Sequence, residues 1–357
     1  ELAISESQER MAVVVAPENA HAFIAEARNE NLEATKVAVV TDSNRLRMCW
    51  RGKTIVDLSR DFLNTNGVKQ KVTIKVTGAD LAHNPLDKLP DELAGINDIK
   101  DAWIKNLKRL NVCSQKGLAE RFDSTIGAAT VLMPFGGKYQ LTPSEGMAAK
   151  LPVEKGETTT GTLMTYGYNP DLSKWSPFHG SVYAILESLA RLVAMGGDYK
   201  KARLTLQEYF EKLSKDAEKW GKPFSALLGA LYTQLGLKVA AIGGKDSMSG
   251  TFKDINVPPT LVSFALAPVE VNGVISSEFK KVGSQLVFVT IKRDSLGLPV
   301  FEDVDLVFSK VHELIRSGKV LAASALKFGG IAEAVSKMAF GNGIGADIGN
   351  LSFDRLF

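Results

Sequence analysis

The chain has 357 residues, 45% of them hydrophobic and 23% charged, with a formal net charge of +3. That length exceeds one ordinary core and predicts two or three domains of ordinary globular composition. Acidic and basic residues nearly balance without a long basic block, which points away from nucleic acid, and no apolar run reaches the ~18 residues of a membrane span.

Residues 11–17 (MAVVVAP) predict a strand, and Pro17 and Asn19 then start a helix to about Asn29. Three further strands are expected at 36–42 (KVAVVTD), 45–50 (RLRMCW) and 53–59 (KTIVDLS), with an extended arm over 68–78. The two prolines of 83–90 (HNPLDKLP) read as a linker. A helix is expected over 99–110, a strand and turn over 128–138, and a strand pair with a loop over 154–170.

Val182, Ile185, Leu186, Leu189 and Val193 make one stripe of a helix over 181–197, stopped by Gly196-Gly197. The mixed charges of 200–222 read as a solvated helix face, followed by a helix over 225–236. Strands are expected at 239–242, 260–268, 285–291, 319–325 and 343–349, and helices at 303–318 and 330–340. The alternation predicts an α+β or α/β fold.

Cys49 and Cys113 form no CxxC pair, which argues against zinc and for a reducing, cytoplasmic setting. The first residues show no signal-peptide pattern, and both ends read as cut from something longer.

Four stretches could carry chemistry. AIGGKDSMSGT (241–251) lacks the Walker A spacing, because Val239 stands where a Gly is needed and Asp246 separates Lys245 from Ser247. It still offers Gly243 and Gly244 for close backbone approach and Lys245, Ser247 and Ser249 as donors: an anion or sugar-phosphate site, or a solvated turn at a strand end. KFGGIAEA (327–334) puts Gly329-Gly330 at a helix start, where backbone N–H groups and Lys327 suit a phosphate; close helix–strand packing explains the glycines equally well. SESQERM (5–11) sets polar groups at a strand mouth, or is an exposed terminus. Glu187 and Arg191 are four apart on one helix face, which reads as an ion pair more readily than as a metal site, and His179 precedes that helix as either a structural or an anion-binding group.

In combination and order, SESQERM, GGKDSMSG and VLAASALKFGGIAEAVSKMAFGNGIGADI resemble the phosphoribosylformylglycinamidine synthase family, with SPFHG and RLTLQEYF closest to its large single-chain form. The resemblance implies an internal fragment of a synthetase core built from halves like aminoimidazole ribonucleotide synthetase, each with an N-terminal and a C-terminal α/β domain. Residues 1–88 would be the back of one C-terminal domain, 89–275 the next N-terminal domain, and 276–357 the front of a second C-terminal domain packing with 1–88, within a chain or between chains. The whole enzyme would use ATP, magnesium and glutamine-derived ammonia to convert formylglycinamide ribonucleotide into the amidine, with the remaining synthetase half and a glutaminase domain as partners. The fragment alone would be inactive and would hold no cofactor tightly.

Carried over by position, Glu6, Ser7, Gln8 and Ser247 fall on substrate-binding residues, with Lys245 as an added anion contact. Gly244, Lys327, Gly329 and Gly330 fall on nucleotide-binding positions, and Glu187 on a metal-binding Glu of an auxiliary nucleotide site. The family's Asn partner to that Glu is Arg191 here, and its Asp and Ser before Gly-Gly are Ala325 and Lys327. These departures predict a degenerate site in which two cations stand in for the metal. A ligand-free structural or dimerisation domain, including a homodimer, is the alternative reading.

Overall fold

The computed structural model describes residues 10–357 except 66, 68, 70 and 122–128. It divides into two compact units, Glu1–Val72 and Thr73–Phe357.

In the first unit, a 3₁₀ turn at Pro17–Asn19 leads into α1 (Ala20–Asn29). Strands β1 (Arg45–Trp50) and β2 (Lys53–Ser59) form an antiparallel hairpin. Its two-residue loop, Arg51-Gly52, has positive φ at both positions, the geometry that matches the twist of paired strands. No described residue of this unit is buried. Strands expected at 11–17 and 36–42 are absent, and Val14, Val37, Val39 and Val40 lie exposed. Apolar β-branched sequence favours a strand only where a neighbour completes the hydrogen-bond ladder.

The second unit begins with an arm whose Lys75 N–H donates to Ala217 O at 2.9 Å. The expected linker is instead three 3₁₀ turns (Leu81–His83, Pro85–Asp87, Asp91–Leu93) with Asn84 and Leu93 buried. Helix α2 (Ile99–Lys108) follows, capped by Asp98. A five-stranded sheet then takes β3 (Met147–Lys150), β4 (Thr160–Gly167), β5 (Arg203–Tyr209), β6 (Ala241–Lys245) and β7 (Thr260–Glu270) in the order β3-β4-β7-β5-β6. Only β5 and β6 pair in parallel.

Two long helices pack with this sheet. Helix α3 (Pro177–Ala194) starts at Ser176, whose hydroxyl accepts the His179 N–H, and Pro177 at its first turn lacks an N–H to orphan. Helix α4 (Ala217–Leu237) starts at Asp216 and ends at Lys238 with φ +56. A Cβ on Gly229 would fall 2.2 Å from Phe178 O, so a side chain there would force α3 and α4 apart. Leu163, Ile185, Leu189, Leu204 and Leu261 fuse sheet and helices into one core with Phe308 of α5 (Phe301–Arg316). Full burial of each such side chain contributes about 1.5–3 kcal/mol. A smaller cluster joins Ile331 and Val335 of α6 (Gly330–Phe340) to Leu356.

Three expectations are corrected here. Residues 203–209 are a strand and not a helix face, because Leu204 and Glu208 are buried while Arg203, Thr205 and Tyr209 are exposed. The helix begins only at Ala217. Strands at 285–291, 319–325 and 343–349 do not form, and Leu286, Val287, Phe288 and Val289 are exposed for want of a partner strand among the described residues.

Candidate functional site

Three segments far apart in sequence bring their charges together. Glu145 comes from the turn before β3, Glu187 and Arg191 from α3, and Ser324 and Lys327 from the approach to α6. The Glu145 side chain is only 2% exposed and Arg191 6%. Arg191 Nε lies 3.3 Å from Glu145 Oε2, and its NH1 lies 3.6 Å from Glu187 Oε1. The same guanidinium donates to Glu145 O at 2.8 Å and Tyr166 O at 2.9 Å, and stacks 4.1 Å over the Tyr166 ring. Lys327 Nζ meets both Glu145 oxygens at 3.3 and 3.2 Å, and the Ser324 hydroxyl donates to Oε1 at 2.6 Å.

Burial pushes the Glu145 carboxyl up, but Lys327 and Arg191, helped by Ser324, outweigh it and hold the group below the usual carboxylate value. Glu187 goes the other way. Burial raises it to about 7, and the attraction of Arg191 and Lys327 recovers only part of that cost. One carboxylate is therefore fixed as an anion, and the other sits near its midpoint at neutral pH.

The Gly-Gly turn is also engaged from inside. Gly329 N–H donates to Glu333 Oε2 at 2.8 Å, and Lys337 Nζ pairs with Glu333 Oε1 at 2.5 Å. Asn106 Nδ2 donates to Gly329 O at 2.8 Å, which ties α2 to the turn. A Cβ on Gly330 would lie 2.7 Å from Leu356 O, and its φ is +61, so packing alone accounts for that glycine. Glu145, Ser324 and Glu333 were missed by sequence reasoning: each is an ordinary polar residue in sequence and becomes part of the site only through packing. Arg191, Lys327 and Ala325 carried the one readable signal, their departure from the family pattern.

The opening residues of the Gly-rich stretch are strand and not turn: Gly243, Gly244 and Lys245 pair alongside Thr205, Leu206 and Gln207. A Cβ on Gly244 would lie 2.3 Å from Leu206 O. The loop begins at Asp246. Ser247 N–H donates to Glu208 O at 3.2 Å, Phe210 N–H donates to Ser247 O at 2.9 Å, and the Ser247 and Ser249 hydroxyls lie 2.8 Å apart. Ser247 and Ser249 are thus held together, and Lys245 is exposed beside them. The residue that accepts from Ser247, Glu208, was also missed from sequence; its Oε1 is buried and has no hydrogen-bond partner among the described residues. Burial and then the Asp246 charge raise its carboxyl to about 7. Glu6, Ser7 and Gln8 lie outside the described residues.

His179 belongs to the first turn of α3 and is structural. Its Nε2–H donates to Leu296 O at 2.9 Å, since a carbonyl can only accept, and Nδ1 takes the Ser176 hydroxyl at 2.8 Å. Among the described residues no group of three or more His, Cys, Asp or Glu is placed to hold a metal ion, and no helix is long and apolar enough to cross a membrane.

A family model for "AIR synthase related protein, C-terminal domain" matches residues 1–51. The phosphoribosylformylglycinamidine synthase subunit PurL of Thermoplasma volcanium is 25% identical over 99% of this chain and 47% of its own length. That of Methanocaldococcus jannaschii is 24% identical over 99% of this chain and 49% of its own. The chain spans about half the length of the curated relatives it matches. Among solved structures, Thermotoga maritima PurL complexed with AMPPCP superposes over 94% of this chain and 49% of that one, with TM-score 0.63 and 20% identity. The same protein complexed with FGAR gives TM-score 0.60 at 20% identity, over 94% of this chain and 47% of that one. The mixed α and β fold is thus that of the aminoimidazole ribonucleotide synthetase-like proteins, as the sequence motifs implied.

Proposed function

We propose that this chain, a relative of the PurL subunit of phosphoribosylformylglycinamidine synthase, forms part of an ATP-dependent ligase of purine biosynthesis. The ligase would convert formylglycinamide ribonucleotide and glutamine-derived ammonia into the amidine, with a further synthetase half and a glutaminase domain as partners. Within it, this piece supplies substrate contacts and scaffold. Ser247, Glu6, Ser7 and Gln8 would contact the ribonucleotide, with Lys245 as an added contact for its anionic group.

The observation that carries the scaffold role is the self-neutralised cluster. A magnesium ion needs several oxygen ligands free to reach it. Here Glu145 is satisfied by Arg191, Lys327 and Ser324, and Arg191 also stands 3.6 Å from Glu187. The Gly329 amide that would meet a phosphate is already given to Glu333. These residues do not fit a magnesium-nucleotide, and the protein's own cations occupy the metal's electrostatic place.

The same reading gives the domain organisation. Residues 1–88 and 276–357 are proposed as complementary parts of one C-terminal domain, in one chain or by exchange between two. The reading is supported by apolar β-type segments in each region that lack strand partners among the described residues; the Arg293–Asp87 pair at 2.7 Å lies within the Thr73–Phe357 unit. A docking or dimerisation domain is the second reading. It draws on the outer sheet face, where Met164, Tyr166 and Leu266 are exposed.

Calorimetric titration with formylglycinamide ribonucleotide and with Mg-ADP tests the assignment. Saturable ribonucleotide binding that Ser247→Ala abolishes, with no heat from Mg-ADP, is the expected result. Tight, magnesium-dependent ADP binding would overturn the degenerate site, and silence with both ligands would favour the docking domain.

A further inference from the structure

An open polar pocket of about 390 Å³ lies within the Thr73–Phe357 unit, where the 3₁₀ turns of 81–87 meet the loop 293–297. That volume falls within the range of small-molecule sites. Its walls are Leu81, Asn84, Asp87, Arg293, Asp294 and Ser295, backed by Leu296 and Gly297. None of these belongs to the charge cluster or to the Ser247 loop.

The walls are held from behind. Tyr183 donates its hydroxyl to Gly297 O at 2.6 Å, and His179 donates to Leu296 O. Gly297 has φ +78, and a Cβ there would fall 2.9 Å from Asn84 Nδ2, so the loop and the turn meet as closely as a glycine permits. Asp294 Oδ1 accepts the Leu296 and Leu298 N–H groups, both at 2.9 Å, which closes the loop on itself. Asn84 is 5% exposed and donates to Asp87 Oδ2 at 2.9 Å while accepting from Leu86 N–H at 3.0 Å. The backing of the pocket is therefore fixed, while Asp87, Arg293, Asp294 and Ser295 stand exposed at its surface.

Its free valences have a definite pattern. Arg293 gives Nη2 to Asp87 Oδ1 at 2.7 Å and its guanidinium also bonds the Tyr183 hydroxyl, so two of its five N–H groups are taken. Asp294 Oδ2 makes no hydrogen bond among the described residues. Arg293 pairs with Asp87 across the pocket and Asp294 follows it in the chain, so the three charges line one pocket. Two carboxylates and one guanidinium leave a net charge of −1. A nucleotide or inorganic phosphate is disfavoured by that sign, and a bare divalent cation by the guanidinium. A molecule carrying both an ammonium and a carboxylate satisfies both ends, because the planar guanidinium edge matches a carboxylate.

We propose that this pocket is a binding site for a small α-amino acid, with the ligand carboxylate on the remaining N–H groups of Arg293 and on Ser295, and the ligand ammonium on Asp294 Oδ2. The site stands independently of the ligase reading.

The test is calorimetry on the full chain with L-alanine and L-glutamine as probes, and with methylamine and acetate as half-ligands. An amino acid should saturate the protein with a Kd near the ~1 mM that roughly 4 kcal/mol of binding gives, while neither half-ligand alone does. Arg293→Gln should weaken binding at least tenfold. Leu81→Trp fills the pocket mouth without touching a charge and should also abolish binding, which guards against misfolding of the arginine variant. The site is refuted if neither amino acid binds, if methylamine or acetate binds as well as the amino acid, or if Leu81→Trp leaves the affinity unchanged.

Discussion

Two arginine–carboxylate groups in this chain share their chemistry and differ in everything around it. In the hairpin, Arg45 Nε meets Asp57 Oδ1 at 2.5 Å and Arg47 reaches the other oxygen at 3.3 Å, with side chains 35–58% exposed. In the charge cluster, Arg191 meets Glu145 at a longer 3.3 Å, with both side chains nearly buried. Distance alone would rank the hairpin pair as stronger. Water decides otherwise: exposed pairs are worth little, whereas removing one partner of a buried pair strands a charge. The same contrast holds between the units. The residues around Arg191 are cored by Leu163, Ile185 and Leu189, whereas the hairpin's unit buries none of its described residues.

The largest effect should come from Arg191→Ala. It leaves Glu145 with Lys327 as its remaining nearby cation and takes the donor from two carbonyls, the buried Glu145 O and the part-buried Tyr166 O. Breaking such a pair from one side costs about 3–5 kcal/mol. Urea unfolding should show a large fall in midpoint with the slope retained. A loss below about 1 kcal/mol would put this cluster in the same class as the hairpin pair.

Next in size is a pH effect that separates the two buried carboxylates. Glu145 has its folded pKa lowered, so its contribution is complete above the ordinary carboxylate value and is lost as pH falls below it. Glu187 has its folded pKa raised from 4.5 to about 7, so the folded chain binds the extra proton between those values. Stability therefore falls as pH rises from about 4.5 to about 7, by at most roughly 3 kcal/mol from this group. Glu208, also raised to about 7, adds a fall in the same window. Glu187→Gln should flatten about half of the decline from pH 5 to pH 7.5 in chemical-unfolding midpoints. An unchanged slope would mean that Glu187 is ionised throughout at no cost, with Arg191 compensating it fully.

What the sequence made legible follows the same division. Helices α3, α5 and α6 were readable because each carries its apolar stripe and stop signal locally. The hairpin was readable from its two β-rich runs around Arg51-Gly52. Strands at 36–42 and 285–291 were not, since a strand needs a partner and local sequence cannot say whether one is present. Residues 203–209 misled because Arg203, Gln207 and Glu208 look solvated, yet Glu208 points inward. The charge cluster was half legible: Arg191 and Lys327 stood out against the family pattern, but Glu145, which binds both, lies 46 residues before Arg191 in a turn without a motif.

The smallest effect belongs to the hairpin. The Asp57 carboxyl is held below its usual range chiefly by the hydrogen bond from Arg45, although water reaches it freely. Ionic attraction of this kind is offset by hydration and by the side-chain entropy lost in holding the pair. Asp57→Asn should therefore leave the unfolding midpoint of the whole chain unchanged within error. Hydrogen exchange at the β1 and β2 amides should speed up only slightly, and the difference from wild type should vanish near ~1 M salt, where the screening length falls to about 3 Å. A large, salt-insensitive loss would show that this carboxylate is shielded from water and that the pair behaves like the buried one around Arg191.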